Sequence, residues 1–563
     1  MNMKATIGHG SDENVHGFGK CYSRVHWAPH NAPVEETNDR HVSSRRAFLA
    51  ALAGLGGAVA LPGGASATSA WRAGTPALIP AAAPDLIRAP TFPEGIMAGV
   101  PRTDGAMLWT RAPRGVFEGD GSLALLVSRH DDLSSPEIAT TVTAAKQADG
   151  CVHFPAAGLR PGEEYYYQFR GRDTASPIGR FRTLRPADSA EPVRIGFFTC
   201  QGYTEGYYAA HRHLAAEDLD LVIGLGDYVY EATAPGPRGI DFNIYPQIMP
   251  AMRAKYTFYR QDADLRAMHA KHAFLPLWDD HEFRNNYTKN KWSFPEPFFQ
   301  SKKSAAWATW FERMPVPRSA AELTRTYRSL RLGRTVELFA LDTRQYRDDQ
   351  PCGDGGGKAC PDADNPARTM LGTAQKSWLF GGLRDSGADW KLLANPNMMM
   401  GMVSGANGER AYLDSWDGYG AERTELLSLA ADRVENLLVV TGDDHDTFAA
   451  ELWNTGFGPG SAPANPPGTR RAGVEFVVPS VTSTNTGDSK GAAGARTEEQ
   501  NRLSHNSHLK LVDMVQHGYG VLDVDGDGAR FSYREVDKLS ASAGVRTSYE
   551  FTVPGGNATL ERH

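Results

Sequence analysis

The chain has few cysteines, no long hydrophobic run in its main part and no strong excess of either charge. Its 563 residues include five cysteines, and they form neither a CxxC pair nor a zinc-finger spacing, so a structural zinc site has no support. No uncharged apolar run of about 18 residues follows residue 70, and we expect no membrane-spanning segment.

The net charge of −7 argues against a protein that binds the nucleic-acid backbone, because such a protein needs a basic surface. The remaining composition is that of an ordinary globular protein, with 41% apolar residues and 58 glycines. The length exceeds that of one compact domain and predicts at least two.

The N-terminal segment has the features of an export signal. Arg45 and Arg46 precede an uncharged apolar stretch over 47–61, and the small residues Ala65 and Ala67 follow it. This pattern predicts a twin-arginine signal peptide over residues 1–67. A membrane anchor or a chance amphipathic helix is the alternative, but the apolar stretch is too short to span a bilayer. We therefore expect the twin-arginine export machinery as a partner, and a periplasmic or extracellular location.

Cysteine use in the rest of the chain fits an oxidising compartment. Cys352 and Cys360 flank a glycine-rich loop, so a short surface disulfide between them is plausible.

Two domains are predicted after an Ala/Pro-rich linker over residues 68–90. Residues 91–185 contain short strands separated by turns, such as 105–111, 123–128, 165–170 and 179–183, which predicts an Ig- or fibronectin-like β-sandwich. From 190 to 540 buried strands alternate with helices, which predicts a layered α/β domain. In this domain the pattern indicates strands at 193–199, 219–225, 274–278, 336–341, 390–394 and 437–441, and one long helix over 250–271.

Polar side chains follow four of these strands, at the edge where open α/β folds bind ligands. Taken singly, each is weak evidence, because a Gly-Asp after a strand is usually a turn and a lone histidine is usually structural. Together they predict a metal site, since converging carboxylates repel one another unless a cation compensates them. The residues concerned are Cys200, Asp227, Tyr230, Asp280, His281, Asp443 and His445.

The residue types indicate which metals fit. Asp227 can bridge two cations, because a carboxylate has two oxygens. A thiolate from Cys200 and a phenolate from Tyr230, joined by the His445 imidazole, favour Fe(III) over Mg²⁺. Asp280 and Asp443 are hard oxygen ligands that suit Ca²⁺. His281 is left free to act as an acid or to hold an oxyanion.

The chain resembles the PhoD-type alkaline phosphatases through four motifs: Thr199-Cys200-Gln201, the run 226–231, the run 278–282 and the run 442–445. The segments 341–347, 416–419 and 479–483 match as well. The resemblance covers nearly the whole chain after the signal peptide. It implies a calcineurin-like metallophosphoesterase core and an iron(III)–calcium centre related to that of purple acid phosphatases.

Carried over to this sequence, the resemblance assigns iron ligation to Cys200, Asp227, Tyr230 and His445. Asp227, Asp280 and Asp443 match the calcium side, and His281 matches the histidine that faces the substrate. We assign the asparagine of this pattern to Asn395, with Asn397 as the alternative, because Pro396 interrupts the usual motif.

The expected function is hydrolysis of phosphate monoesters or diesters at a binuclear or trinuclear Fe(III)–Ca²⁺ centre, with catalysis by Asp227 and His281. A phosphodiesterase or phospholipase D-type activity on the same site is one alternative, and a non-catalytic protein that binds the cell envelope is another. We expect a monomer. The segment 508–519 is the candidate for a lid. The run Asp523-x-Asp525-x-Asp527 resembles an EF-hand loop, but alternating apolar residues around it favour a hairpin.

Overall fold

The computed structural model describes residues 92–563, except 233, 240–248, 292–298, 319–322, 354–355, 357–358, 406–407 and 460–467. The signal peptide predicted over 1–67 and the linker predicted over 68–90 lie outside this part of the chain. The described residues belong to one unit that spans 83–563.

Strands carry most of the described architecture. They are β1 (Ile96–Arg102), β2 (Gly105–Arg111), β3 (Ser122–Ser128), β4 (Ile138–Thr143), β5 (Cys151–Ala156), β6 (Glu164–Arg170), β7 (Gly179–Arg182), β8 (Val193–Phe198), β9 (Leu221–Gly224), β10 (Ala273–Pro276), β11 (Arg328–Leu332), β12 (Val336–Ala340), β13 (Trp390–Asn395), β14 (Leu437–Thr441), β15 (Thr447–Trp453), β16 (Arg471–Val477), β17 (Leu509–Asp513), β18 (Gly518–Val524), β19 (Gly528–Val536), β20 (Val545–Pro554) and β21 (Glu561–Arg562).

The α-helices of the described residues lie between these strands. They are α1 (Arg114–Phe117), α2 (Ala209–Ala216), α3 (Met249–Tyr259), α4 (Ala263–Lys271), α5 (Phe299–Arg313), α6 (Gly372–Asp385), α7 (Gly420–Arg433) and α8 (Thr486–His505).

Within the described residues the strands form three sheets. The first has the order β21-β20-β19-β18-β8-β9-β10-β1-β2-β5, the second has the order β11-β12-β13-β14-β16-β15-β17, and the third has the order β4-β3-β6-β7. The neighbours β8, β9 and β10 pair in parallel, and so do β12, β13 and β14. The first and second sheets therefore each present several strand ends at one edge.

The first two sheets pack face to face, which gives a layered α/β fold. Phe476 of β16 stacks on Phe531 of β19, with ring centroids 4.3 Å apart. Alternate residues of β14 face opposite ways, so that Val440 contributes to the core between the sheets while Val439 packs in a second core with helix α7. This burial on both faces explains why β14 is apolar from Leu437 to Val440.

The strands of residues 91–185 are divided between two sheets. The third sheet takes β3, β4, β6 and β7, whereas β1, β2 and β5 continue the first sheet. Strand β1 pairs in parallel with β10, through Ala98 with Ala273 and Gly99 with Phe274. Hydrogen bonding is thus continuous across the boundary predicted near residue 186. A separate sandwich over 91–185 stays a prediction.

Two sequence expectations are wrong. The helix predicted over 250–271 is broken into α3 and α4, because the Asp262 side chain accepts a hydrogen bond from the Leu265 N–H (3.0 Å) and caps a new helix. The lid proposed for 508–519 consists mainly of strand β17 and the start of β18, and His508 and Tyr519 are both buried. Apolar spacing showed neither the cap nor the pairing of these strands.

Other expectations are confirmed. Strands β18 and β19 form the predicted hairpin, and the Asp525 carboxylate accepts hydrogen bonds from the turn N–H groups of Asp527 and Gly528 (both 2.9 Å). Cys352 and Cys360 are joined in a disulfide. None of the helices in the described ranges combines the length and the apolar character needed to cross a membrane.

Candidate metal centre

The ends of the parallel strands bring most of the predicted ligands together. Candidate ligand atoms of Cys200, Asp227 and His445 lie within 4.8 Å of one another, and the same holds for a group made of Asp227, Asp279, Asp280 and Asp443. Asp227 belongs to both groups, which is the geometry that a bridging carboxylate requires. The cluster therefore has two sides that share one residue.

Tight turns after the strands aim these side chains at one another. Cys200, Asp227, Asp443 and His445 all have positive φ angles, between 51° and 72°. Non-glycine residues rarely adopt this conformation, and it costs on the order of 1 kcal/mol or more at each position. Such strain persists only where the surrounding structure enforces it, and its concentration in one cluster marks a functional site.

The first side of the cluster contains Cys200, Tyr230 and His445. The Tyr230 hydroxyl donates to Asp227 Oδ2 (3.0 Å) and lies 3.2 Å from His445 Nε2. Cys200 Sγ lies 3.5 Å from the same carboxylate oxygen. His445 Nδ1 is 2.8 Å from the Thr484 carbonyl oxygen, so Nδ1 carries the proton and Nε2 offers its lone pair to the cluster.

The Cys200 thiol and the Tyr230 phenol require a nearby cation in order to lose their protons. Burial, reinforced by the neighbouring Asp227 carboxylate, raises the pKa of the Cys200 thiol and of the Tyr230 phenol well above their ordinary values. A bound metal ion reverses this balance, because its charge stabilises thiolate and phenolate ligands. The donor set thus fits a highly charged ion on the first side.

The second side contains buried oxygen atoms that lack hydrogen-bond partners among the described residues. Asp280 Oδ2 accepts a hydrogen bond from the Asn286 N–H (2.6 Å), whereas Asp280 Oδ1 is buried and has no hydrogen-bond partner among the described residues. Asn397 Nδ2 donates to Asp443 Oδ2 (2.8 Å), and Asn397 Oδ1 is likewise buried without a partner in the described part. Two orphaned buried oxygens beside several carboxylates are the environment that a hard cation satisfies.

The structure does not bring Asn395 to this cluster. Its side chain donates to Thr441 Oγ1 (3.2 Å) and to the Asn397 carbonyl oxygen, and its own carbonyl oxygen accepts a hydrogen bond from Trp416 Nε1 (3.3 Å). Asn395 ends strand β13 and turns into the protein, while Asn397, two residues later, reaches Asp443. Of the two asparagines, Asn397 is therefore the one whose side chain contacts the cluster.

His281 lies beside the second side and is oriented by Glu231. Its Nδ1 is 2.6 Å from Glu231 Oε2, and its ring stacks on Tyr230 with centroids 4.2 Å apart. Burial opposes the charged imidazolium, but Glu231 and the nearby aspartates outweigh it and raise the pKa of His281 well above the ordinary value. Nε2 is left as the ring nitrogen for proton transfer.

Sequence reasoning missed three residues that support the cluster. One is Glu231, described above. Glu282 accepts hydrogen bonds from the backbone N–H groups of Asp227 (3.2 Å) and Tyr228 (2.7 Å), which holds the strained turn in place. Arg344 follows β12 and donates to Asp443 Oδ1 (2.8 Å). Arg344 follows β12, which pairs in parallel with β13, and this position was the feature of the sequence that could have identified it.

Comparison with known proteins agrees with this geometry. The sequence profile described as "PhoD-like phosphatase" matches residues 195–533, and the profile of the corresponding N-terminal domain matches residues 79–185. The chain belongs to the PhoD-like phosphatase family. The first profile covers all the residues of the cluster, from Cys200 to His445.

Relatives of this PhoD-like chain share most of its length. Alkaline phosphatase D of Bacillus subtilis (strain 168) is 32% identical over 509 residues, covering 84% of this chain and 82% of the relative. A solved structure of PhoD superimposes with a TM-score of 0.74 at 29% identity, and the match covers 85% of this chain and 93% of the other. The PhoD-like fold assigned from the motifs is confirmed.

A more distant likeness concerns the fold alone. A purple acid phosphatase, PPD1 of yellow lupin (Lupinus luteus), superimposes with a TM-score of 0.51 at 12% identity, covering 82% of this chain and 74% of that one.

Proposed function

We propose that this protein is an exported, metal-dependent phosphatase that hydrolyses phosphate esters at an Fe(III)–Ca²⁺ centre. The observation that carries the proposal is the convergence of two donor sets on Asp227. The first set holds a thiol, a phenol and an imidazole, which suit Fe(III). The second holds Asp280, Asp443 and Asn397, whose oxygens suit Ca²⁺.

The protein residues have distinct roles in this proposal. Asp227 belongs to both sides and fixes their separation. Glu231 holds His281 Nδ1, so the ring presents Nε2 to the leaving-group oxygen of the ester and protonates it. Cations bound at the two sides would supply charge stabilisation on the phosphoryl oxygens and a lower pKa for the attacking water.

The colour of the purified protein tests the iron assignment. Phenolate and thiolate ligands on Fe(III) give charge-transfer bands, so we expect a coloured protein whose iron is found by elemental analysis. Tyr230→Phe keeps the ring but removes the ligand oxygen, and should shift or abolish the visible band while activity falls. Cys200→Ser should shift the band separately. A colourless, iron-free and fully active wild-type protein would contradict the assignment and indicate zinc or manganese on the same scaffold.

Assays with p-nitrophenyl phosphate and bis(p-nitrophenyl) phosphate, before and after chelation, test whether hydrolysis of monoesters and diesters requires calcium. Loss of activity with EDTA and recovery with calcium more than with magnesium is expected, because flexible oxygen ligands suit the larger ion. Full activity after exhaustive chelation would exclude the calcium role.

Export is proposed from the paired arginines at 45 and 46. Replacement of both by lysine should keep the protein in the cytoplasm, whereas the unaltered chain is transported. Cell fractionation followed by immunoblotting measures the difference, and unchanged export of the double variant would argue against the twin-arginine route.

A further inference from the structure

Arg344 is a buried cation inside a group of carboxylates. Its side chain is completely buried, although it carries a charge. The guanidinium donates through Nε to Asp279 Oδ1 (2.5 Å), through Nη1 to Asp414 Oδ2 (2.5 Å) and through Nη2 to Asp443 Oδ1 (2.8 Å). All three nitrogens are thus engaged by different aspartates at once, which is possible because the donors of arginine form a rigid planar fork.

The contacts of Arg344 fall on one side of the candidate centre. Three of its neighbours belong to the aspartate group of the second side: Asp279, Asp443 and Asp280, the last at 3.6 Å from Nη2. Within the described residues its ion pairs are with aspartates, and none joins it to a ligand of the first side. A change at Arg344 should therefore act on one cation and spare the other.

The contact between Arg344 and Asp443 also determines which carboxylate oxygens remain available to bind a cation. Arg344 occupies Asp443 Oδ1, and the Asn286 N–H occupies Asp280 Oδ2. On the second side, Asp280 Oδ1 and Asn397 Oδ1 are buried and have no hydrogen-bond partner among the described residues. The guanidinium thus helps to fix the rotation of the carboxylates toward the position that a cation would take.

We propose that Arg344 is a positioning residue that sets the affinity of the second side for its divalent cation and leaves iron binding on the first side unchanged. The proposal rests on the metal centre proposed above. Outer partners that orient metal ligands typically contribute about 10–100-fold to metal affinity. Lysine in place of Arg344 keeps the charge but replaces the fork with a single ammonium group, which cannot hold three aspartates in this geometry.

Arg347 provides a matched control. It lies three residues along the same segment and is also fully buried, and it pairs with Asp414 (2.7 Å) and donates to the Tyr287 carbonyl oxygen (3.0 Å). Its hydrogen bonds within the described residues are to Tyr287 and Asp414, neither of which is a candidate metal ligand. Arg347→Lys therefore makes the same chemical change at the same depth. It shares Asp414 with Arg344 but binds the other carboxylate oxygen, so the Asp414 charge and its Oδ2 contact with Arg344 stay in place.

The experiment compares Arg344→Lys, Arg347→Lys and the wild-type full-length protein. Each is treated with a calcium chelator, and CaCl₂ binding is then followed by titration calorimetry, while iron is measured by elemental analysis. We expect Arg344→Lys to raise the half-saturating calcium concentration about 10–100-fold with iron content unchanged, and Arg347→Lys to change it by less than about threefold. Equal calcium affinities in the two variants, or parallel loss of iron and calcium in Arg344→Lys, would overturn the proposal.

A second variant keeps the test decisive if Arg344→Lys does not fold. Asp414→Asn weakens an anchor of Arg344 without altering a candidate ligand, and it should raise the half-saturating calcium concentration in the same direction. Unchanged calcium affinity in a folded Asp414→Asn protein would then count against the positioning role. A wild-type protein that binds no calcium would instead overturn the proposed centre, and this inference with it.

Discussion

At the scale of single residues, Asp227 is the side chain on which both sides of the centre depend. Asp227→Asn removes the charge and one metal-binding oxygen, so we expect activity and the content of both metals to fall together. Enzyme assays and elemental analysis of the same preparation measure this. A fully metallated and active variant would show that Asp227 does not bridge. Glu118→Gln, at an exposed ion pair with Arg114, is a control that should change neither quantity.

His281 gives the opposite expectation, because it is placed to transfer a proton and is not a proposed ligand. His281→Ala should retain both metals and lose about 10²–10⁴-fold in rate, the usual scale of general acid–base catalysis. Glu231→Gln should lower the rate in the same direction, since Glu231 orients the ring. Metal analysis alongside kinetics decides the matter, and loss of metal from His281→Ala would make this histidine a ligand.

At the scale of elements, strand β16 supports the loop that carries Asn397. Glu475 in β16 is fully buried, and its carboxylate accepts hydrogen bonds from the backbone N–H groups of Met399 (2.8 Å) and Met400 (2.6 Å) and from the Thr441 hydroxyl (2.6 Å). Burial outweighs these donors and raises the pKa of Glu475 to about 7. The loop that carries Asn397 is therefore held by Glu475, a side chain whose pKa lies near neutral pH.

The raised pKa has a defined consequence for stability. The folded protein holds the Glu475 proton more tightly than the unfolded chain does, so its contribution to stability is complete below pH 4.5 and is lost as the pH rises through 7. The contribution is on the order of 3 kcal/mol. Glu475→Gln does not titrate, and its stability relative to wild type should therefore improve between pH 5 and pH 8. Urea denaturation at both pH values measures this, and a pH-independent difference would contradict it.

At the scale of the whole molecule, a buried ion network joins the first strands to the C-terminal ends of helices α3 and α5. The Glu94 carboxylate is buried and pairs with Arg313 (3.0 Å), Arg260 (3.4 Å) and Arg111 (3.4 Å). Together with the pairing of β1 and β10, it ties the N-terminal strands to the rest of the protein. The network is therefore expected to contribute to the stability of the folded protein.

Removal of one partner from such a network leaves buried charges without compensation. Glu94→Gln should lower the free energy of unfolding by about 3–5 kcal/mol, the usual cost of breaking a buried ion pair. Glu118→Gln breaks an exposed pair and should change it by less than about 1 kcal/mol. Chemical denaturation of the two variants measures the contrast, and equal effects would show that the network adds no stability.

Much of the fold followed from local sequence pattern. Mostly apolar runs identified β8, β9, β12, β13 and β14, because strands buried on both faces contain few polar residues. The break between α3 and α4 was missed, since a single cap at Asp262 decides it within an otherwise helical pattern. The lid was misplaced because the pairing of β17 and β18 depends on strands distant in the sequence.

By itself, the sequence determined the family, the strand ends that carry the polar residues and the identity of most candidate ligands. These depend on residue types at short spacings along the chain, as at Cys200, Asp227 and Tyr230. Only the tertiary structure decided between Asn395 and Asn397, placed Arg344 against Asp443 and joined β1 to β10. Such contacts link residues far apart in the sequence, and they depend on the turn angles and sheet order that bring strand ends to one edge, which no local pattern specifies.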